Sequence, residues 1–268
     1  MPEPNLDELV SVAVDIARDA GAILRDRFDR PHDIQFKAAV DMVTEADRAS
    51  EALIAERLRA RYPTHRLLGE EGARGAAESE AASPYRWVVD PLDGTTNFAH
   101  GMPGFAVSIG LEYEGTPIVG VVFDPIHDEL YVARQGGGAT LNGTQLQVSA
   151  VPDLLRSLLA TGFSYDLAKR PTQAEIWLAF LTRVQAIRQT GSSALNLCSV
   201  AAGRLDGYWE DAVSPWDVAA GVLMVREAGG AVSRYGGEPF ASDDGNLVAS
   251  NGLIHQAMLA VLGATTPG

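Results

Sequence analysis

Apolar residues recur at helical spacing near the start of the chain. Leu6, Leu9, Val10, Ala13, Ile16, Ala17, Ala20, Ile23, Leu24 and Phe28 form one stripe, which predicts an amphipathic helix over residues 5–29, ended by Pro31. A short strand pair is expected at Ile34–Lys37 and Val40–Val43. Thr44, with Asp47 three positions on, opens a second helix like a capping box, running to about Arg61 before Pro63. Residues 72–84, rich in Ala, Gly, Ser and Glu, read as a solvent loop. Trp87–Val89 is a short apolar strand. Strand then follows strand at Phe105–Glu112, Ile118–Phe123 and Glu129–Ala133, separated by Glu114-Gly115 and Asp124-Pro125. Gly136-Gly137-Gly138 and Asn142-Gly143 mark hairpin turns. The glycine triplet lacks the Lys-Ser/Thr of a phosphate-binding P-loop and reads as a turn.

The second half alternates. Strands are expected at Leu158–Thr161, Ala186–Arg188, Gly207–Glu210 and Asn246–Ala249, with helices at Gln173–Val184, Ala194–Ala202, Pro215–Glu227 and Leu253–Leu262. Helices on both sides of mixed sheets fit this order, so the pattern predicts an α/β (α+β) protein. No clean linker interrupts it. The chain reads as one unit, 1–268, with a subregion 1–150 of N-terminal helices and antiparallel-rich sheet and a C-terminal α/β subregion 151–268.

Composition narrows the function. The 268 residues are 46% hydrophobic, enough for a sizeable core. Lys plus Arg is 21 against 35 for Asp plus Glu, a net charge of -14, which argues against nucleic-acid or anionic-membrane partners. Cys198 stands alone, so no intrachain disulfide is possible, and it reads as a small buried hydrophobe. The start, Met1-Pro2-Glu3-Pro4, has no signal-peptide character, and no apolar run reaches the roughly 18 residues of a membrane span. A reducing, cytoplasmic setting is the expectation.

The chemistry concentrates in Trp87-Val88-Val89-Asp90-Pro91-Leu92-Asp93-Gly94-Thr95-Thr96-Asn97-Phe98, which reads as strand, tight turn and helix start. Asp90 and Asp93 sit in the expected turn, just ahead of free helix N–H groups. Carboxylates collect hard cations such as Mg²⁺, and helix N-termini collect anions, so a metal ion and a phosphate can meet there. An acidic protein that binds an anionic ester requires cations to reverse the sign of its pocket. Glu70 and Asp217 are further candidates, although each acid also has a plainer reading. Glu70 could be a solvated loop acid, Asp93 a turn former or cap, and Asp217 a first-turn acid after Ser214-Pro215. Asp47 reads as a capping-box partner. No G-x-S-x-G elbow and no H-E-x-x-H spacing among the five histidines suggests a covalent serine or zinc mechanism. His100 alone is expected near the cleft, in a structural or surface role.

The run is similar to the D-P-[IL]-D-G-T-T-N-F signature of the inositol monophosphatases, Mg²⁺-dependent, lithium-sensitive phosphatases. Gly69-Glu70-Glu71, Asp41-Met42-Val43-Thr44-Glu45-Ala46-Asp47 and Trp216-Asp217-Val218-Ala219-Ala220-Gly221, followed by Glu227-Ala228-Gly229-Gly230, fit the same resemblance, which spans about Asp41 to Gly230. It implies a layered α-β-α-β-α sandwich with mixed sheets. It implies two to three Mg²⁺: one held by Glu70, Asp90 and the Leu92 carbonyl, a second by Asp90, Asp93 and Asp217, and a weaker third near Glu70. Water activated by the first ion would attack phosphorus, oriented and deprotonated by Thr95 and Glu70, with Asp47 a relay behind Thr95. Asp93, Gly94, Thr95 and Thr96 would hold the phosphate side, Ser193 and Glu210 the alcohol. The family's usual residue at Ser193 is Ala. Arg188 would serve structure through a carboxylate partner. The implied substrate is a small phosphate monoester, most plausibly myo-inositol 1-phosphate. Histidinol phosphate, fructose 1,6-bisphosphate and 3′-phosphonucleotides are the alternatives, and a regulatory binding protein of the same fold is an alternative of another class. A homodimer is implied.

Overall fold

The computed structural model describes residues 5–74 and 83–265. The middle of the expected loop at 72–84 and the residues Met1 to Pro4 lie outside them. The first half runs through α1 (Leu6–Arg27), β1 (Gln35–Phe36), β2 (Met42–Val43), α2 (Glu45–Arg61), β3 (Arg66–Gly69), β4 (Tyr85–Asp93), α3 (Thr95–Ala99), β5 (Ala106–Tyr113), β6 (Thr116–Asp124), β7 (Glu129–Arg134), β8 (Gly138–Leu141) and β9 (Thr144–Gln145). The second half holds β10 (Leu158–Thr161), α4 (Arg170–Leu181), β11 (Ala186–Arg188), α5 (Ser193–Ala201), β12 (Gly207–Asp211), α6 (Pro215–Glu227), β13 (Ala231–Ser233), β14 (Asn246–Ser250) and α7 (His255–Gly263).

A seven-stranded sheet takes the order β3-β4-β5-β6-β7-β8-β9, and a five-stranded sheet the order β11-β10-β12-β14-β13. The first is antiparallel except for the β3–β4 pair, and the second is mixed. Three apolar cores hold five layers together, the middle one lying on both sides of the central helices. Helices α1 and α2 cover one face of the large sheet, where Val107, Ile109, Leu111, Val119, Val121 and Phe123 point. Helices α5 and α6 fill the space between the sheets. Helices α4 and α7 cover the outer face of the small sheet against Leu159, Trp209 and Val248. This is the expected α-β-α-β-α sandwich. Because both faces of each sheet are covered, β5 and β6 are apolar at almost every position rather than alternating.

Close approach of α6 to the large sheet depends on a cross-strand glycine pair. Gly110 and Gly120 are register partners in β5 and β6. A Cβ at Gly120 would lie 2.6 Å from the Ala220 carbonyl oxygen, and one at Gly110 would lie 3.0 Å from the Ala219 Cβ. The α6 backbone thus rests directly on the sheet, at the turn of helix that follows Asp217.

Three sequence expectations change. Strand β4 extends through Asp93, with a register irregularity between Asp90 and Asp93, so the two acids stand on a bulged strand end rather than in a free turn. Pro91, without an N–H, cannot continue the ladder there. Helix α4 begins at Arg170, three residues early, with Pro171 in its first turn. The short strands β3 and β13 were not visible in the pattern, because each is too brief to show a period. The glycine triplet is a turn as read, and its Gly136 and Gly138 N–H groups donate to the Glu227 carboxylate. Cys198 is buried. No helix among the described residues is long and apolar enough to cross a membrane. Gly120→Ala should cost about 1–3 kcal/mol in urea unfolding with an unchanged m-value, and an unchanged midpoint would show that α6 is not seated on Gly120.

Candidate active site

Helix α2 builds the floor of the site. Its buried stripe carries Asp47, Ser50 and Glu51 alongside Ile54 and Leu58. Asp47 Oδ2 accepts from the Thr44 N–H (2.8 Å) and hydroxyl (2.6 Å), closing the capping box, while its Oδ1 accepts from the Thr95 hydroxyl at 2.9 Å. Asp47 thus makes the capping contacts and accepts the expected hydrogen bond from Thr95, one on each oxygen. Ser50 donates to the Pro91 carbonyl at 2.8 Å and so holds the bulge between Asp90 and Asp93. Glu51 accepts from the Glu71 and Ala73 N–H groups, each at 2.8 Å, fixing the chain just after Glu70.

Strand β4 then delivers the acids. Asp90 is 2% exposed, and its Oδ1 accepts from the Leu92 N–H at 2.9 Å. Its cross-strand partner is Ser108, whose hydroxyl reaches the Trp216 carbonyl at 3.4 Å. That contact brings the first turn of α6, and with it Asp217, beside Asp90. Asp217 stands in the first turn of α6 as read, and it also accepts from the Ser214 N–H at 2.6 Å, which closes a capping box the sequence reading did not include. Asp93 points to the start of α5 and accepts from the Ser192 hydroxyl (2.5 Å), the Ala194 N–H (2.7 Å) and the Ser193 N–H (3.3 Å). Gly94, at φ 96°, turns the chain from strand into α3, and a Cβ there would lie 2.9 Å from the Gly104 carbonyl. Thr95 and Thr96 occupy the first turn of α3, where N–H groups lack intrahelical partners.

The alcohol-side residues also converge. Glu210, at the end of β12, accepts from the Ser193 hydroxyl at 2.8 Å and from the Tyr208 hydroxyl two residues earlier in the strand. Ser193 therefore links Glu210 to Asp93 through its hydroxyl and its N–H. Arg188 departs from expectation: it is exposed and donates to the neighbouring Ile187 carbonyl, and no carboxylate pairs with it among the described residues. It sits at the end of an edge strand, where no acid faces it. His100 is exposed, just past α3.

Burial of this many acids sets the electrostatics. Burial first, then the charges of Glu70, Asp93 and Asp217, holds the Asp90 carboxyl well above its ordinary range. Asp217 is raised likewise by burial and by Asp93, Glu70 and Glu210. Burial pushes Asp93 up to about 6, Glu70 to about 7 and Glu210 to about 8. Two unit charges about 4 Å apart repel by roughly 4 kcal/mol at an effective dielectric of 20, so the cluster cannot stay fully ionised without protons or cations. As the side chains stand, no group of three or more His, Cys, Asp or Glu is arranged to hold a metal ion among the described residues. Each acid accepts from a protein donor instead. Glu70 is the clearest case, because the Lys37 ammonium sits 2.8 Å from both Glu70 and Glu71 and 3.7 Å from Asp41. The donor set itself, several half-buried to buried carboxylates and the Leu92 carbonyl, fits a hard divalent cation.

Ser50, Glu51, Ser108 and Lys37 went unnoticed in the sequence. A signal existed for the first two, because polar residues on the apolar stripe of a helix need buried partners. None existed for Ser108, which is an ordinary strand residue until Asp90 stands opposite.

The profile of the inositol monophosphatase family matches residues 5–265. An inositol-1-monophosphatase from Synechocystis sp. is 44% identical over 263 residues, covering 97% of this chain and 91% of that protein. A protein named Nus factor SuhB from Pseudomonas aeruginosa is 41% identical over 262 residues, covering 96% of each. The solved inositol monophosphatase from Anabaena superposes with a TM-score of 0.88 at 41% identity, over 98% of each chain. The SuhB structure from Bartonella henselae superposes with a TM-score of 0.90 at 39% identity, over 95% of this chain and 98% of that one. Fold and relatives together define a phosphatase, a class of hydrolase for which metal use is implied. The chain belongs to the inositol monophosphatase family.

A carboxylate whose folded pKa is raised destabilises the folded state once pH climbs above its unfolded value. The metal-free protein should therefore gain stability as pH falls from about 8.5 to 6, through the values of Glu210 (about 8), Glu70 (about 7) and Asp93 (about 6). A divalent cation bound among these acids would displace those protons. Saturating Mg²⁺ should raise Tm by about 3 °C more at pH 8 than at pH 6, and equal shifts in thermal melts would contradict the electrostatic account.

Proposed function

We propose that the protein hydrolyses a small phosphate monoester in a Mg²⁺-dependent reaction, with myo-inositol 1-phosphate as its best substrate. The observation that supports this most is the buried Asp90 within the fields of Glu70, Asp93 and Asp217, one turn from the start of α3. Glu70, Asp90 and the Leu92 carbonyl would hold one ion, and Asp90, Asp93 and Asp217 a second. A third would sit near Glu70, where Lys37 now provides the positive charge. When bound, these ions would draw in the phosphate, lower the pKa of water at the site and neutralise the leaving oxygen.

The chain's own residues do the rest. Thr95 donates its hydroxyl proton to Asp47, which leaves its lone pairs to accept a hydrogen bond from the attacking water. Asp47, fixed on both oxygens, keeps that orientation. Glu70, beside that water, takes the proton. The N–H groups of Gly94, Thr95 and Thr96 face the phosphate oxygens at the start of α3. On the alcohol side, Glu210 and Ser193 present oxygens to polyol hydroxyls, consistent with relatives named as inositol monophosphatases. The family resemblance extends the proposal to a homodimer inhibited by Li⁺.

Phosphate release from myo-inositol 1-phosphate should depend on Mg²⁺. Asp90→Asn should lower kcat by roughly three orders of magnitude while the metal-free protein melts no lower than wild type, since a repelled buried charge is gone. Full activity in Asp90→Asn would overturn the assignment. Likeness to a protein named Nus factor SuhB favours a second reading, regulatory binding. Folded wild-type protein with no turnover on any monoester would select it.

A further inference from the structure

The loop 162–169 between β10 and α4 spans the alcohol side of the site. At one end, Gly162 lies against Glu210, and a Cβ there would sit 2.2 Å from Glu210 Oε1. Three residues on, the Tyr165 hydroxyl lies beside the Thr96 side chain, within the fields of Asp93, Glu70 and Asp41. The loop thus bridges from the carboxylate that would bind the alcohol to the helix that would bind the phosphate. Helix α4 pins its backbone. Gln173 accepts from the Ser164 N–H at 2.9 Å, the Arg170 Nε donates to the Ser164 carbonyl at 2.8 Å, and Gln173 in turn donates to the Asp211 carbonyl at 3.2 Å. Yet Tyr165 remains 45% exposed. A large ring left partly open to solvent on a fixed backbone, within the fields of Asp93 and Glu70, is placed to meet a ligand.

We propose that Tyr165 is a specificity-determining residue, its ring face receiving the flat C–H face of a cyclic alcohol and so favouring ring-shaped over open-chain phosphate monoesters. This rests on the phosphatase reading above. A cyclic polyol directs its hydroxyls outward and presents polarised C–H groups along its faces. Glu210 and Ser193 match the hydroxyls, and the electron-rich face of Tyr165 matches the C–H groups. An open-chain polyol has no such face and must also freeze several rotors to imitate one. The hydroxyl of Tyr165, beside Thr96 at the start of α3, would set the ring's tilt rather than touch the reacting phosphorus.

The test compares myo-inositol 1-phosphate with glucitol 6-phosphate at saturating Mg²⁺, in wild type, Tyr165→Phe and Tyr165→Ala, with thermal melts to confirm folding. Tyr165→Ala should raise KM for the inositol ester about five- to tenfold with kcat within about twofold, and shift KM for the glucitol ester by less than about twofold. Inhibition by inorganic phosphate should stay unchanged, because the phosphate end is untouched. Tyr165→Phe, which keeps the ring, should retain the preference. An unchanged ratio of kcat/KM for the two esters in Tyr165→Ala, or an equal loss in Tyr165→Phe, overturns the proposal while leaving the phosphatase reading intact. Absence of Mg²⁺-dependent turnover by wild type on both esters would remove both.

Discussion

Mutual repulsion among buried carboxylates is the constraint around which this protein is organised. Asp90, Asp93, Glu70, Asp217 and Glu210 come from strand ends, a loop and a helix start in both sheet regions, and they meet where water is scarce. Such a cluster opposes folding unless donors or cations hold it. The protein answers with N–H and hydroxyl donors: Leu92 for Asp90, the start of α5 for Asp93, Ser214 for Asp217, Ser193 for Glu210, and an ammonium for Glu70. Each donor stabilises one acid in place without cancelling the shared negative field. In the proposed function, that residual field attracts divalent ions and, through them, an anionic ester.

The scaffold serves this by removing freedom. Ser50 on α2 grips the bulge at Pro91, so the spacing of Asp90 and Asp93 is set from below. The Gly110–Gly120 pair lets the α6 backbone lie on the sheet, and Ser108 ties Trp216 to the strand opposite Asp90. Asp217 is thereby positioned by packing between backbones, which is stiffer than any side-chain contact. Asp47 shows the same economy, since one oxygen starts a helix and the other orients Thr95.

Much of this was legible in the chain. The capping box at Thr44 and Asp47 gave the start of α2, and the apolar stripe gave α1 to within two residues at its C-terminal end. The strand series from Phe105 gave the centre of the large sheet. The capping role of Asp47 and the first-turn place of Asp217 were read correctly. Less legible were elements shorter than one period, such as β3 and β13, and the bulge that carries β4 through Asp93. The supporting residues Ser108 and Lys37 carry no local signature at all.

Sequence by itself determined the alternation of elements, the acidity that demands cations, and the inventory of carboxylates at strand and helix ends, because these follow from local periodicity, capping chemistry and charge count. Tertiary structure alone decided which acids face one another. Asp90 and Asp217 are brought together by cross-strand register and by a helix resting on two glycines, and register and interlayer distance are properties of packed sheets that no window of sequence contains. Tertiary structure likewise decided that Tyr165 lies at Thr96, since the loop that carries it is aimed by α4 rather than by its own residues.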